Sequence, residues 1–372
     1  MSPKLYKAAG TWYIIWAINL LKGERGRRMD RSVLRWILAA LMALALAFVL
    51  SCPYEAEAEI VIDDWEEILP VALPLDYREG GKPLREDRWV LNGKKPVSYS
   101  DSTIQVTFET DSVTHKLRSG NHKGKTVTDD IWIARIKIMH VSQLRTAVSY
   151  DTYKSDGRAK STRIALEKNA VVAMNGDYFK VENTDAGYIV RQGELIRDAT
   201  HNARGLVFDT LLIDSEGDFH VVYAAVTETI EAYIRENLEP LGRTVLDSFN
   251  IGPVLVLNGE VQDVAHSEVT KHGDKREGMF QWSTPIQRIA IVQTGHLEYA
   301  IVAANGEGER RSGFTMAEFA AIVAERCPGA ILAYNLDGGG SAQLVAHGAK
   351  LFTNKYNARH ICDMIYFASA EE

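Results

Sequence analysis

The chain has little cysteine, three residues in 372, and Cys52 lies in an apolar N-terminal region. That leaves Cys327 and Cys362. A disulfide framework is excluded, and these two read equally well as one disulfide or as two buried thiols. No Cys/His cluster has the spacing of a metal site. An excess of positive charge is missing too: 42 basic against 49 acidic residues give a formal charge of −7, which offers no electrostatic footprint for binding DNA or RNA. A small or glycan-like substrate is expected instead. There is no internal repeat and only one long apolar run, and the length is ample for one large domain or two ordinary ones.

That run, Trp36 to Leu50, comes after Lys22, Arg25, Arg27, Arg28 and Arg31. Positive charge on the N-terminal flank keeps that flank in the cytoplasm and sends the C-terminal remainder of the chain across the membrane. Residues 1–32 are therefore expected to be a basic cytoplasmic segment and 33–52 a signal or transmembrane anchor. Cleavage at Ala56-Glu57-Ala58, giving a secreted protein, is the alternative. Met29 is an alternative start. Residues 53–98 carry Pro and many charges between short apolar pieces and are expected to form a stalk or lead-in. The folded domain is placed at 99–369, outside the cytoplasm.

Within it, Trp132, Ala134, Ile136 and Ile138 alternate with Arg135 and Lys137, as in a half-buried strand. Ala170 to Met174 is continuously apolar and reads as a more central strand. Further strands are expected at 205–213, 219–225, 254–257, 288–293, 297–304, 330–335 and 361–367, with Asn258-Gly259 as a hairpin turn. Helices are expected near 161–168, near 226–238 and from Thr315, where Thr315-Met316-Ala317-Glu318 is a capping box and Pro328-Gly329 a stop. The fold class is α+β: a sheet-rich mixed domain with a few helices on the sheet, preceded by an N-terminal hydrophobic helix.

The most informative stretch is Asn335-Leu336-Asp337-Gly338-Gly339-Gly340-Ser341-Ala342, where an apolar strand ends in a carboxylate, three glycines and a hydroxyl. Consecutive glycines give up packing and suggest positive φ or a close approach by a ligand. Their N–H groups can form an anion-binding nest. A bare tight turn is the alternative, and Asp337 with Ser341 argues for a site. Asn175-Gly176-Asp177 has the same design after its own apolar strand, so loops at one sheet edge can converge. Arg288 and Arg359 sit at strand starts and suit an oxyanion, because guanidinium binds it bidentately and stays charged. Ser341 lacks the closing glycine of a nucleophile elbow, so an amidase or esterase is weakly supported. Gly124-Lys125-Thr126 fails the phosphate-loop spacing, and Asp214 to Asp218 lacks the register of a calcium loop.

Taken together these residues resemble the phosphodiester glycosidase family, which includes an animal enzyme that removes N-acetylglucosamine from a sugar phosphodiester. The similarity runs collinearly from about residue 100 to 369, through Met174 to Phe179, Gly252 to Val256, the strand opened by Arg288, Ala304-Asn305-Gly306, Gly313 to Phe319, the octet and Arg359. Asp177 stands where the family has a small residue, and Ile289 where threonine is usual. The resemblance implies hydrolysis of a glycosyl C1–O–phosphate bond, releasing a sugar and a phosphomonoester, and the expected anchor points to envelope or exported glycans as the substrate.

Such chemistry needs an anion clamp and a carboxylate at the oxocarbenium-like centre. Arg288, Arg359, Ser341 and the N–H groups of Gly338, Gly339 and Gly340 are candidates for the clamp. Asp337 is the first candidate carboxylate and Asp177 the second. Asn175 and Asn335 are assigned to substrate hydroxyls or to orienting the carboxylate, and Gly176 to the substrate- and phosphate-binding set. No cofactor is expected, and a divalent ion near Asp337 is left open without a ligand spacing to identify one. The expected partners are the glycan substrate and, through the N-terminal helix, the membrane. The competing reading is a non-catalytic envelope module that holds phosphorylated polysaccharide.

Overall fold

Why the chain needs so many strands is visible in its buried alternation. In the computed structural model, which describes residues 72–118, 123–152, 157–177, 187–199, 208–264, 283–306, 313–353 and 358–372, two apolar faces of one large sheet are both covered. The first strands are β1 (Trp89–Asn92), β2 (Lys95–Ser100), β3 (Ile104–Lys116), β4 (Thr126–Ile138) and β5 (Leu144–Val148). Helix α1 (Ser161–Glu167) leads into β6 (Ala170–Asn175), followed by the hairpin β7 (Gly187–Arg191) and β8 (Glu194–Ala199). Then come β9 (Phe208–Asp214), β10 (Phe219–Ala225), α2 (Thr227–Tyr233), β11 (Val245–Phe249), β12 (Val254–Leu257) and β13 (Glu260–Val261). The last third holds β14 (Arg288–Gly295), β15 (Glu298–Ala304), α3 (Met316–Arg326), β16 (Leu332–Asn335), β17 (Gln343–Ala346), β18 (Ala349–Thr353) and β19 (Asp363–Ala368).

A nine-stranded sheet has the order β1-β2-β3-β4-β15-β14-β16-β12-β13, and a five-stranded sheet the order β18-β17-β6-β19-β5. Both are antiparallel throughout. Ile289 and Ile291 of β14, with Trp132, Ala134, Ile136 and Ile138 of β4, meet Val172, Met174, Leu344, Ile365 and Phe367 of the five-stranded sheet in one core. On the opposite face of the large sheet, Ala290, Val292, Ile131 and Ile133 pack under Phe319, Ala320 and Val323 of α3. Ala173, Met364 and Tyr366 likewise meet Ile164 and Ala165 of α1. The order of layers is helix, sheet, sheet, helix, which explains why β6 and β14 read as continuous apolar runs: neither has a solvent face.

The expected capping box forms, with Thr315 Oγ1 accepting from Glu318 N and Glu318 Oε2 accepting from Thr315 N. The helix expected near 226–238 is α2 continued by a π turn at Ile234–Leu238. The sheet begins before Tyr99, the expected domain start. Trp89 and Tyr99 lie edge to face, and Leu73 and Tyr77 are buried, so the described part of the expected stalk packs with the domain. Its charges mislead because β1 and β2 form a sheet edge whose outer residues stay exposed. The expected segments 1–32 and 33–52, including the hydrophobic helix, and the stalk up to residue 71 lie outside the described residues. Among the described residues no helix is long and apolar enough to cross a membrane. Cys327 and Cys362 are free thiols.

Candidate active site

The octet is the crossover between the two sheets. β16 ends at Asn335 in the large sheet and β17 starts at Gln343 in the small one, so seven residues span the end of the sandwich. Beside β17, β6 ends at Asn175, while its other neighbour β19 begins at Asp363. The two constellations singled out in the sequence are thereby brought to one edge.

Three buried side-chain atoms at this crossover have no well-aligned hydrogen-bond partner in the protein, Asn335 Oδ1, Asp337 Oδ2 and Ser341 Oγ, although the Ser341 hydroxyl is close enough to the Asp337 carboxylate to interact with it. Buried polar atoms are nearly always paired, by protein, water or ligand. Three within seven residues mark a place built to receive polar groups from outside. Burial pushes the Asp337 carboxyl up to about 6, against the lowering pull of the nearby Ser341 hydroxyl and the Arg359 charge, while Asp177 adds a further push upward. Arg359 itself is exposed, and its main-chain N–H donates to Gly340 O at 2.8 Å. Asp337, Ser341 and Arg359 thus form one group.

The glycines serve backbone approach more than anion binding. A Cβ on Gly338 would lie 2.8 Å from Gln287 O, and Gly339 has φ +59. The Gly339 N–H donates to Gln287 O at 2.9 Å and the Ser341 N–H to Gly338 O at 3.1 Å. The expected nest of Gly338, Gly339 and Gly340 is therefore partly closed on itself, because the loop must seal against β14. Gly176 has a similar reason to be glycine: a Cβ there would meet Asp363 Oδ2 at 2.7 Å.

Asn175, expected to touch the substrate, is 1% exposed and uses its amide internally. Its Nδ2 donates to Asp337 O at 2.9 Å and its Oδ1 accepts from Gln343 N at 3.0 Å. Asn335 Nδ2 donates to Gly252 O at 2.7 Å, leaving Oδ1 for a ligand. Asp177, the second candidate carboxylate, is also turned inward. Its Oδ1 accepts from Asn250 N at 2.8 Å, and its Oδ2 from Arg191 and Asn250 side chains, each at 3.3 Å. Burial raises its pKa, with Arg191 opposing. Arg288, expected in the clamp, is buried beneath the loop: Nε donates to Phe314 O at 3.1 Å and Nη2 to Thr284 O at 2.9 Å. Its guanidinium ties the start of β14 to the start of α3, a role that a charge at a strand end does not advertise.

Several site residues were not read from the sequence. Arg191, fully buried, also donates to Asp363 Oδ2 and lies over the Phe249 ring at 4.5 Å. Gln343 donates to Arg359 O at 2.9 Å. Their one signal is a polar residue at the end of an apolar strand, the same signal that marked Arg288. Among the described residues no group of His, Cys, Asp and Glu is arranged to hold a metal ion.

A family model described as phosphodiester glycosidase matches residues 168–368, more than half of the chain and a span that includes every candidate residue. No curated protein matches. Among solved structures, the catalytic domain of zebrafish N-acetylglucosamine-1-phosphodiester alpha-N-acetylglucosaminidase, auto-inhibited by its pro-peptide, is similar with TM-score 0.52 and 15% identity, covering 72% of this chain and 88% of that one. At that identity the likeness is one of fold. A putative exported protein from Burkholderia pseudomallei K96243 has TM-score 0.43 and 14% identity, covering 67% of this chain and 78% of its own, and carries no argument.

Proposed function

Since the chain belongs to the phosphodiester glycosidase family, we propose that it hydrolyses the C1–O bond between a sugar and a phosphodiester phosphate, with Asp337 as the carboxylate at the reacting carbon. Water adds to C1, and the products are a free sugar and a phosphomonoester. The observation that carries this reading is the cluster of under-satisfied buried atoms, Asn335 Oδ1, Asp337 Oδ2 and Ser341 Oγ, next to the exposed Arg359.

The carboxylate inventory supports the same chemistry. Glycosidases acting on ordinary sugar ethers use two carboxyl groups, one to protonate the leaving oxygen. Here Asp177 is held by Asn250 and Arg191, and Asp363 by Arg191 and the Asp177 N–H behind the loop, with its Oδ1 unpartnered; Asp337 is the carboxylate of the crossover itself. A phosphomonoester leaving group has a second pKa near 6 and departs without full protonation, so one working carboxylate suffices. With its pKa at about 6, Asp337 is largely ionised at neutral pH yet basic enough to take a proton from water or to attack C1 itself. Arg359 neutralises the phosphate, Ser341 Oγ donates to a phosphate oxygen, and Asn335 Oδ1 accepts from a sugar hydroxyl.

The zebrafish protein's N-acetylglucosamine-1-phosphodiester is the first substrate to try. The basic N-terminal segment and the apolar run after it support a location outside the cytoplasm, tethered to the membrane, and hence glycans of the envelope or exported glycans. The test is release of reducing sugar from a panel of sugar-1-phosphodiesters by the purified full chain and by Asp337→Asn. Release that disappears in the variant supports the proposal. A folded protein that binds the panel and releases nothing is instead an envelope glycan-binding module.

A further inference from the structure

The crossover that carries Asp337 and Ser341, and the main chain at Arg359 beside it, are held by two side-chain amides in addition to the main-chain bonds of Leu336, Gly339 and Arg359. Asn175, at the end of β6, donates to Asp337 O and accepts from Gln343 N, so one amide grips both ends of the loop. Gln343, at the start of β17, donates from Nε2 to Arg359 O at 2.9 Å and to Ser341 O at 3.3 Å. Its Oε1 accepts from Ser161 Oγ at 2.7 Å, which fixes which way the amide faces. Asp337, Ser341 and Arg359 therefore each have their main-chain carbonyl held by one of two amides, both at most 1% exposed. The turn after Asn175 is in turn pinned to β19, where Gly176 N donates to Asp363 O at 2.9 Å and Asp177 N to Asp363 Oδ2 at 3.1 Å.

We propose that Asn175 and Gln343 are a pair of positioning residues with divided tasks: Asn175 sets the placement of the Asp337 carboxylate, and Gln343 sets the placement of Arg359 and Ser341 around the phosphate. This rests on the reading of Asp337 as the reacting carboxylate. Leu336 and Ala342 anchor the two ends of the loop in the core, but Gly338 to Gly340 between them have no side chains to pack, and a displacement of about 1 Å at a reacting group costs about a hundredfold in rate. Buried amides that use both donor and acceptor supply the missing constraint. Replacing either by the matching acid keeps the shape and the acceptor but puts a carboxylate oxygen against a carbonyl.

The division of tasks makes the kinetic outcome specific. Asn175→Asp lowers kcat by about a hundredfold and leaves KM within about threefold, because the phosphate clamp is intact. Gln343→Glu, with Gln343→Met as a second variant, raises KM by about tenfold or more and lowers kcat less. Relative to wild type at the same pH, the Asn175→Asp loss is smaller below pH 6, where protonation gives the introduced carboxyl a hydrogen to donate. A variant that is merely unstable moves neither the ratio of the two constants nor the shape of the pH profile. Equal effects of both substitutions on kcat and KM, or rates like wild type, overturn the proposal.

A second readout does not depend on turnover. In wild type the Asp337→Asn substitution strengthens folding by an amount that grows with pH by up to about a hundredfold in equilibrium constant, the equivalent of two pKa units. In an Asn175→Ser background, where the carboxylate is free to turn towards water, that growth falls below about tenfold. A wild type that releases no sugar removes the premise about Asp337 and leaves this double-mutant cycle standing. An undiminished cycle overturns the positioning role itself.

Discussion

Asp337→Asn is expected to abolish activity and to stabilise the protein, and the second half of that statement has a definite pH signature. Folding raises the carboxyl from an ordinary value of 3.8 to about 6. Each unit is about 1.4 kcal/mol, so the ionised carboxylate opposes folding by about 3 kcal/mol as an upper figure. The residue keeps partial access to solvent, which argues for about 1–3 kcal/mol. The sign depends on which state holds the proton. Between pH 4 and 6 the native protein retains a proton that the unfolded chain has given up, so wild-type stability falls as pH rises through that window and the full deficit is present above it. Asparagine has no such term. Urea unfolding of the two proteins at half-unit steps from pH 4 to 8 should give curves that coincide at the acid end, within the effect of the substitution itself, and diverge by about 1–3 kcal/mol at pH 7.5. Parallel curves across the whole range would refute the account of Asp337 as a buried, under-partnered carboxylate.

If Asp337 reacts as its anion, kcat/KM should rise with pH to a plateau with a midpoint near 6, and a fall through that region would assign it as an acid instead. Asp177→Asn should retain sugar release within about tenfold while losing about 1–3 kcal/mol, and an inactive, fully folded variant would return Asp177 to the reaction. Arg191→Met leaves the buried Asp177 and Asp363 without their shared guanidinium and should cost about 3–5 kcal/mol, read as a lowered urea midpoint. Gly176→Ala forces a methyl group to within 2.7 Å of Asp363 Oδ2 and should cost about 1–3 kcal/mol in the same assay. Ser341→Ala should keep measurable turnover, and the wild type should resist a serine-directed fluorophosphonate; labelling at Ser341 would point to acyl transfer.

The parts of this molecule that could be read from the sequence are those whose partners are local. Ala170 to Asn175 and Arg288 to Gly295 are strands buried on both faces, so their apolar runs announce them, and Thr315 with Glu318 forms a cap within four residues. The octet stood out because three adjacent glycines beside a carboxylate and a hydroxyl give up side-chain packing for backbone freedom. What stayed hidden is polar and distant. Asn175 meets Gln343 across 168 positions and Asp177 meets Asp363 across 186, and no local pattern reports such pairings. Asn175, Asp177 and Arg288 were singled out because amides, carboxylates and guanidinium groups suit sugars and phosphates. The same properties suit main-chain carbonyls and N–H groups, and in the fold those partners are already at hand. Trp89 and Tyr99 were divided between lead-in and domain because charge is dense around β1 and β2, which lie at a sheet edge with little to bury.

The crossover from β16 to β17 also decides when activity can first exist. Asp337 sits where the large sheet meets the small one, beside the β6 strand to which β19 pairs. Contacts of such separation form late and together. A partly folded chain is therefore expected to have no partial site to act with, and any sugar release would report the completion of the whole unit rather than the presence of its parts. Loss of the C-terminal strand alone should silence the protein as thoroughly as loss of Asp337.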